Sequence, residues 1–537
     1  MNCLTTFNNS VWSHLEKALL PPEAPRFSGA WARTIGSHLL QTAILLPTGC
    51  VSGILEIVNK IFKYLAYSKP KVDPQVDFSA VLKDPREWRK IDTSQVTLGA
   101  GDSYFEYSVA SCTYQDSGSV NCPNSQWKKW EEKCIKDPTN RSGQSANLFY
   151  LYKHDPDLVI QRLQQLGVSG YRTSIEWSHI EPKQGEFSRA NLEVYATFFR
   201  LCRQHRITID ITLHHFSEPE WFHEKGSFTH PDGPADFGRF VTYIMQNFSE
   251  ARHIRNFWTI NEPAIEAFSR YVRGAFSPGI KMDFPKAAAF LVGAFKAHNI
   301  AYDIIHSHYN FAIVGFTHQY LKFLGTNPLF FLITKYLTAL TNDATLGTLE
   351  TCIFKLKIPF LCNVEERIPL KVDQMGVQVY TRPVIGFTGS TGFYDEPQTL
   401  MPFREDPAAA YEAVLEVARV SQKPVIVTET GISTNDEAQR ARYLERVFYA
   451  LEAARKKGIQ LYGQQMVNPP ILRGVNLWTF TDQLEWDMGM KPQAFGAYPL
   501  TQAGEIAGIF RSGVQPFIDS SARWRASFPE RDAEDSA

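Results

Sequence analysis

Thr259-Ile260-Asn261-Glu262-Pro263 follows the short apolar run Asn256-Phe257-Trp258, which reads as a buried strand. Pro263 has no N–H to give to a β-ladder, so the strand is expected to stop there. A carboxylate, Glu262, is thereby placed where a buried strand ends, beside an amide, Asn261, that both donates and accepts. Taken alone, this pattern serves equally as a solvent-exposed strand end. Further along, Val425-Ile426-Val427-Thr428-Glu429-Thr430-Gly431 repeats it: a β-branched strand that ends on a glutamate and is closed by a glycine. Two strand-terminal glutamates in one chain are what a two-carboxylate enzyme needs.

Working outward, short apolar runs alternate with amphipathic segments from about residue 95, the signature of βαβ units and a parallel sheet. Strands are expected at Phe105–Ala110, Gly170–Ile175, Thr208–Leu213, Asn256–Thr259, Ala312–Phe316, Gln374–Gln378, Pro424–Thr428 and Gly474–Trp478. Helical patterns such as Asp157–Leu166, Ala409–Val420 and Ala438–Ala454 fall between them. This predicts an α/β fold, a (β/α)8 TIM barrel over 95–525, with its active site at the C-terminal ends of the strands. Both glutamates are there.

The other strand ends carry polar and aromatic groups. The first leads into Tyr114-Gln115, and the second holds Arg172, costly in an apolar strand unless a carboxylate pairs it. The third ends at His214-His215-Phe216; adjacent strand residues point to opposite faces, so one histidine at most faces the site. No third ligand follows at usable spacing, so no metal site is expected. The sixth ends at Gln378-Val379-Tyr380, and the eighth reaches Trp478, followed by Glu485-Trp486. Each of these has an ordinary structural use. Together they surround two carboxylates with amide, imidazole and indole groups, a set that suits a sugar.

At these residues the chain resembles glycoside hydrolase family 1, the β-glucosidase and β-galactosidase family. Thr259–Pro263 is similar to the family's acid/base motif and Val427–Gly431 to its nucleophile motif. Tyr171–Trp177, Thr212–Phe216 with Pro219-Glu220-Trp221, and Phe105–Gln115 resemble its second, third and first strands. The resemblance implies retaining, exo-acting β-glycoside hydrolysis, with Glu262 as acid/base and Glu429 as nucleophile. It further implies that Gln115, His215, Asn261, Glu485 and Trp486 hold sugar hydroxyls and that Trp478 forms a stacking platform. Arg172 and Tyr380 would touch Glu429, and Phe495 would be a further pocket aromatic. No metal or organic cofactor is required. The chain departs from the family at Thr430, Gln378 and Gln483, where Asn is usual, and at Val379, His214, Phe216 and Ala494. Glu485 speaks against phosphorylated sugars, because a phosphate beside it would meet like charge.

Two alternatives keep the same barrel: a transglycosylase, in which an alcohol or sugar replaces water, and a non-catalytic sugar-binding or scaffold barrel. The 537 residues are 44% hydrophobic with a formal net charge of −1, which gives no electrostatic case for a nucleic-acid partner. Eight scattered cysteines without CxxC spacing fit a reducing, cytoplasmic setting.

Residues 1–94 read as an N-terminal extension. Its uncharged stretch 34–55 is interrupted by Pro47 and three glycines, and is expected as an apolar helical hairpin packed on the protein or lying on a membrane rather than spanning it. Membrane association through 34–55 and a lipid-like aglycone are the corresponding partner expectations. Phe323–Leu361 is also strongly apolar and is expected to pack, with an aglycone wall or a membrane contact as its other uses. Residues 526–537 read as a charged tail.

Overall fold

The computed structural model describes residues 92–528, apart from 326–327, 387–388, 392–395, 463–468, 470 and 492. The apolar stretch expected at 34–55 and the last part of the expected tail, 529–537, lie outside the described residues.

Parallel strands form the centre: β1 Glu106–Ala110, β2 Gly170–Ser174, β3 Thr208–His214, β4 Asn256–Ile260, β5 Ile313–Gly315, β6 Met375–Gln378, β7 Val425–Thr430 and β8 Leu472–Trp478. β5 continues past Phe316 as a second piece, Thr317–Gln319. Its first piece pairs with β4 and its second with β6, while β1 pairs with both β2 and β8. The two halves of one strand therefore join the ends of the sheet, and the result is the expected (β/α)8 barrel. The break at Phe316 falls where the strand changes partner.

β1, β2, β4 and β7 are almost entirely buried, as expected where helices cover a parallel sheet. The helices start on side-chain caps. Asp155, Ser188 and Asp283 accept N–H groups at the starts of Pro156–Gln165, Arg189–Gln204 and Phe284–His308. The final helix, Gln515–Ala526, buries Phe517 and Trp524, and Phe528 still packs against the core. The barrel thus extends a few residues into the segment read as tail.

The apolar Phe323–Leu361 segment packs on one side only. Its helix Pro328–Thr338 leaves Phe331, Leu332 and Ile333 about half exposed, while Leu340, Leu346, Phe354 and Leu356 are buried. Among the described residues no helix is long and apolar enough to cross a membrane.

Candidate active site

β4 ends at Ile260, and the chain then turns sharply. Glu262 sits in the left-handed region (φ 42°, ψ 55°), and Pro263 opens the helix Pro263–Phe268. Proline suits that first helical position, since its missing N–H would have no helical partner. The Glu262 N–H is held by the carbonyl and the hydroxyl oxygen of Thr317, both at 3.1 Å. Glu262 thus lies in the turn after the strand rather than on it. Among the described residues no side chain donates to its carboxyl group. Burial, and then the charge of Glu429, push its pKa well above the usual carboxylate range.

Glu429 is aimed by a different device. Gln378 of β6 pairs with Glu429 although Val377 pairs with Val427, so β7 carries one extra residue at this point. The β7–β8 register shifts over the same residues. Such a bulge re-aims the side chain that follows it. Gly431 closes the strand because a Cβ there would stand 2.0 Å from the Trp478 carbonyl oxygen.

Three side chains hold the Glu429 carboxyl. Arg172 and Gln378 each donate to Oε1 at 2.6 Å, and the Tyr380 hydroxyl donates to Oε2 at 2.8 Å. Burial raises the pKa of this carboxyl, and the Arg172 charge and the Tyr380 hydroxyl pull it back. Two buried carboxyls in one electrostatic field thus differ in environment: Glu429 is met by three donors, one of them the Arg172 cation, and Glu262 by no side-chain donor among the described residues. The arrangement favours a proton on Glu262 and a charge on Glu429.

The remaining expected residues join this centre through a chain of contacts. Asn261 Oδ1 accepts from Arg172 at 2.7 Å, Gln378 at 2.8 Å and Thr317 at 2.9 Å, and the Asn261 Nδ2 group is buried without a partner. His215 Nε2 lies 4.0 Å from Glu429 Oε1, and its ring stacks on Trp478 with centroids 6.0 Å apart. Burial, and then Arg172, hold its pKa well below the ordinary value, so the imidazole is neutral. Trp486 packs against His215, Phe216 and Trp127, and Phe495 meets Tyr380 edge-on at 6.0 Å. Gln115 donates to the Leu484 carbonyl at 2.7 Å, which fixes the loop carrying Glu485 and Trp486, and its own Oε1 is buried without a partner. Glu485 is half-buried. Desolvation and then Asp487 push its carboxyl up to about 8.

His214 points the other way. Its Nε2 lies 2.9 Å from Glu266, which with Glu218 grips Arg270 at 2.6 and 2.8 Å. His214, Glu218 and Glu266 bring ligand-type atoms within 4.8 Å of one another, but the Arg270 guanidinium already provides the cation for both carboxylates. Burial alone would raise the Glu218 pKa; Arg270 and His223 outweigh it and hold the carboxyl below its ordinary range.

Truncating Arg270 takes the guanidinium from two buried carboxylates and, among the described residues, leaves Glu266 only His214 and Glu218 only His223 and Ser227. Arg270→Ala should therefore lose about 3–5 kcal/mol of stability at neutral pH, read from urea unfolding. A depressed carboxylate pKa stabilises above the unfolded value and ceases to do so as pH falls through the folded one. The deficit should accordingly shrink below about pH 4.

Sequence reasoning left three contributors out of the site. Thr317 follows the break in β5, where Thr317-His318-Gln319 has no apolar pattern to signal a strand. Gln378 stands in the sequence as the end of the sixth strand and as a departure from the family pattern, with nothing to mark it as a partner of Glu429. The Glu218–Arg270–Glu266 group gives no sign in the sequence beyond the helical spacing of Glu266 and Arg270.

Residues 102–328 match glycosyl hydrolase family 1. The 6-phospho-beta-galactosidase of Leptotrichia buccalis is 30% identical over 184 residues, 34% of this chain and 38% of that protein. The 6-phospho-beta-galactosidase of Staphylococcus haemolyticus is 24% identical over 72% of this chain and 91% of that one. The family match covers 102–328, less than half of the chain. The matches to the first curated relatives span only 38% of their length. Among solved structures, the beta-glycosidase from Pyrococcus horikoshii superimposes with a TM-score of 0.67 at 24% identity, covering 80% of this chain and 96% of that one. Thermotoga maritima beta-glucosidase in complex with glucoimidazole gives 0.66 at 20% identity, covering 78% and 98%. At these identities the structural likeness speaks for the barrel fold.

Proposed function

We propose that this chain is a family 1 retaining β-glycosidase acting from the non-reducing end of a β-glycoside. The observation that carries this reading is the unequal pair at the ends of β4 and β7: Glu429 held by Arg172, Gln378 and Tyr380, and Glu262 buried with no side-chain donor among the described residues. Glu429 attacks the anomeric carbon and forms a glycosyl-enzyme, while Glu262 protonates the departing oxygen. Glu262 then takes a proton from water, which releases the sugar with its configuration retained. That outcome requires the carboxyls to be about 5–5.5 Å apart in the working enzyme. His215, Asn261 and Gln115 offer polar atoms to hydroxyls, and Trp478 offers a ring face to the apolar side of the sugar.

A neutral sugar is the favoured substrate. The curated relatives above carry the name 6-phospho-beta-galactosidase, but in this chain the loop after β8 presents Glu485 and Asp487. Asp487 is already paired with Arg273 at 2.5 Å, and Glu485, protonated or charged, offers a phosphate no cation.

The test is proton NMR of the first sugar released from aryl β-glucoside and β-galactoside. The β-anomer should appear first and mutarotate; an initial α-anomer would overturn the retaining assignment. Binding without cleavage across a panel of β-glycosides would favour the non-catalytic barrel. Water competing with an added alcohol separates hydrolysis from transglycosylation.

The dependence of kcat/KM on pH should be a bell. Activity falls on the acid side as Glu429 takes up a proton, and on the alkaline side as Glu262 loses one. Glu262→Gln, assayed with an aryl glycoside whose leaving group needs no proton, should keep the acid limb and lose the alkaline one.

A further inference from the structure

Resting on this reading, we infer that Gln378 is a positioning residue that clamps the nucleophile Glu429 and the amide of Asn261 with a single NH2 group. Its Nε2 donates to Glu429 Oε1 at 2.6 Å and to Asn261 Oδ1 at 2.8 Å. The side chain is completely buried, at the last residue of β6. An amide nitrogen has two hydrogens, and both are used here on acceptors belonging to different strand ends. The family resemblance places the shorter Asn at this position; the extra methylene of Gln carries the NH2 group further from the strand, to where both acceptors lie.

The consequence for Asn261 is orientational. Arg172, Thr317 and Gln378 all direct donors at its Oδ1. Arg172 can only donate, so the oxygen of the amide must face it, and the Nδ2 group is turned away with no protein partner among the described residues. Asn261 shares both Arg172 and Gln378 with Glu429 and therefore sits beside the carbon that Glu429 attacks. The hydroxyl next to that carbon is the C2 hydroxyl, whose hydrogen bonds strengthen in the transition state. Gln378 thereby ties the two groups together, so that the amide keeps its place relative to the nucleophile.

The consequence for Glu429 is electrostatic. Its Oε1 takes two donors and its Oε2 only Tyr380, so the loss of Gln378 removes one of three bonds that favour the ionised form.

The experiment compares wild type, Gln378→Met, which keeps the volume and removes the amide, and Gln378→Asn. In Gln378→Met the acid limb of kcat/KM should move up by about one pH unit, the size expected for a lost bond to a charged group. The preference for a glucoside over its 2-deoxy analogue should shrink by about tenfold, with the preference over the 6-deoxy analogue unchanged. Gln378→Asn should recover one of these two effects, because the shorter arm keeps one acceptor.

NMR titration of the isotope-labelled Glu429 carboxyl should show the same upward shift without reference to turnover. An unmoved Glu429 titration together with equal losses on all substrates would mean simple packing and would overturn the clamp. If the wild type cleaves no β-glycoside, the functional proposal fails, and the Glu429 titration still decides the part that Gln378 plays.

Discussion

Glu429→Ala should lower turnover of a nitrophenyl β-glycoside by at least about four orders of magnitude, the scale seen when a covalent nucleophile is removed. The geometry explains why no neighbour substitutes. Glu262 is the nearest second carboxyl in electrostatic terms, but among the described residues no side chain donates to it, and burial pushes its pKa up. His215 is neutral and lies 4.0 Å from Glu429. Arg172, Gln378 and Tyr380 are donors aimed at a carboxylate, and they remain aimed at the space it leaves. A small anion fits that requirement. Azide should therefore restore part of the rate and yield the α-glycosyl azide, through a single displacement on the face Glu429 had occupied. Retention of more than a few per cent of activity in carefully purified Glu429→Ala would sink the assignment.

Glu262→Ala should behave differently in kind. Loss of a general acid costs about 10²–10⁴-fold, depending on how much help the leaving group needs. The first step should slow severely for a phenyl glycoside and little for a dinitrophenyl one, because the latter departs without a proton. Release of the sugar should then limit the reaction, so the glycosyl-enzyme accumulates and a burst of phenol appears. Azide needs no general base, and it should accelerate release and give the β-glycosyl azide. A leaving-group dependence identical to that of the wild type would exclude Glu262 as the acid.

These expectations rest on different amounts of sequence information. The eight strands were legible because buried parallel strands are continuous apolar runs, and their positions agree with the structure to within a few residues. The opposite directions of His214 and His215 follow from the strand's period of two and are seen in their contacts with Glu266 and Trp478. The partner of Arg172 was legible as a requirement, since a buried guanidinium needs a carboxylate, though the pattern alone did not say which one. The bulge in β7 was not legible. Val425 to Thr430 reads as a regular strand, and the extra residue exists only relative to β6 and β8. The pairing of Gln378 with Asn261 is a contact between distant segments, and no local rule announces it.

The backbone at Glu262 carries a different kind of information. A side chain at φ 42° bears a conformational penalty of about 1–2 kcal/mol that glycine escapes and asparagine largely escapes. The same carboxyl is also desolvated with no compensating donor. A chain that drifted under pressure for folding alone would exchange this residue for glycine or asparagine early, and would gain stability by doing so. Position 262 is therefore one where the interests of the fold and of the chemistry are opposed. A glutamate there is held at a cost to the fold, a cost that the acid/base role proposed for it would account for.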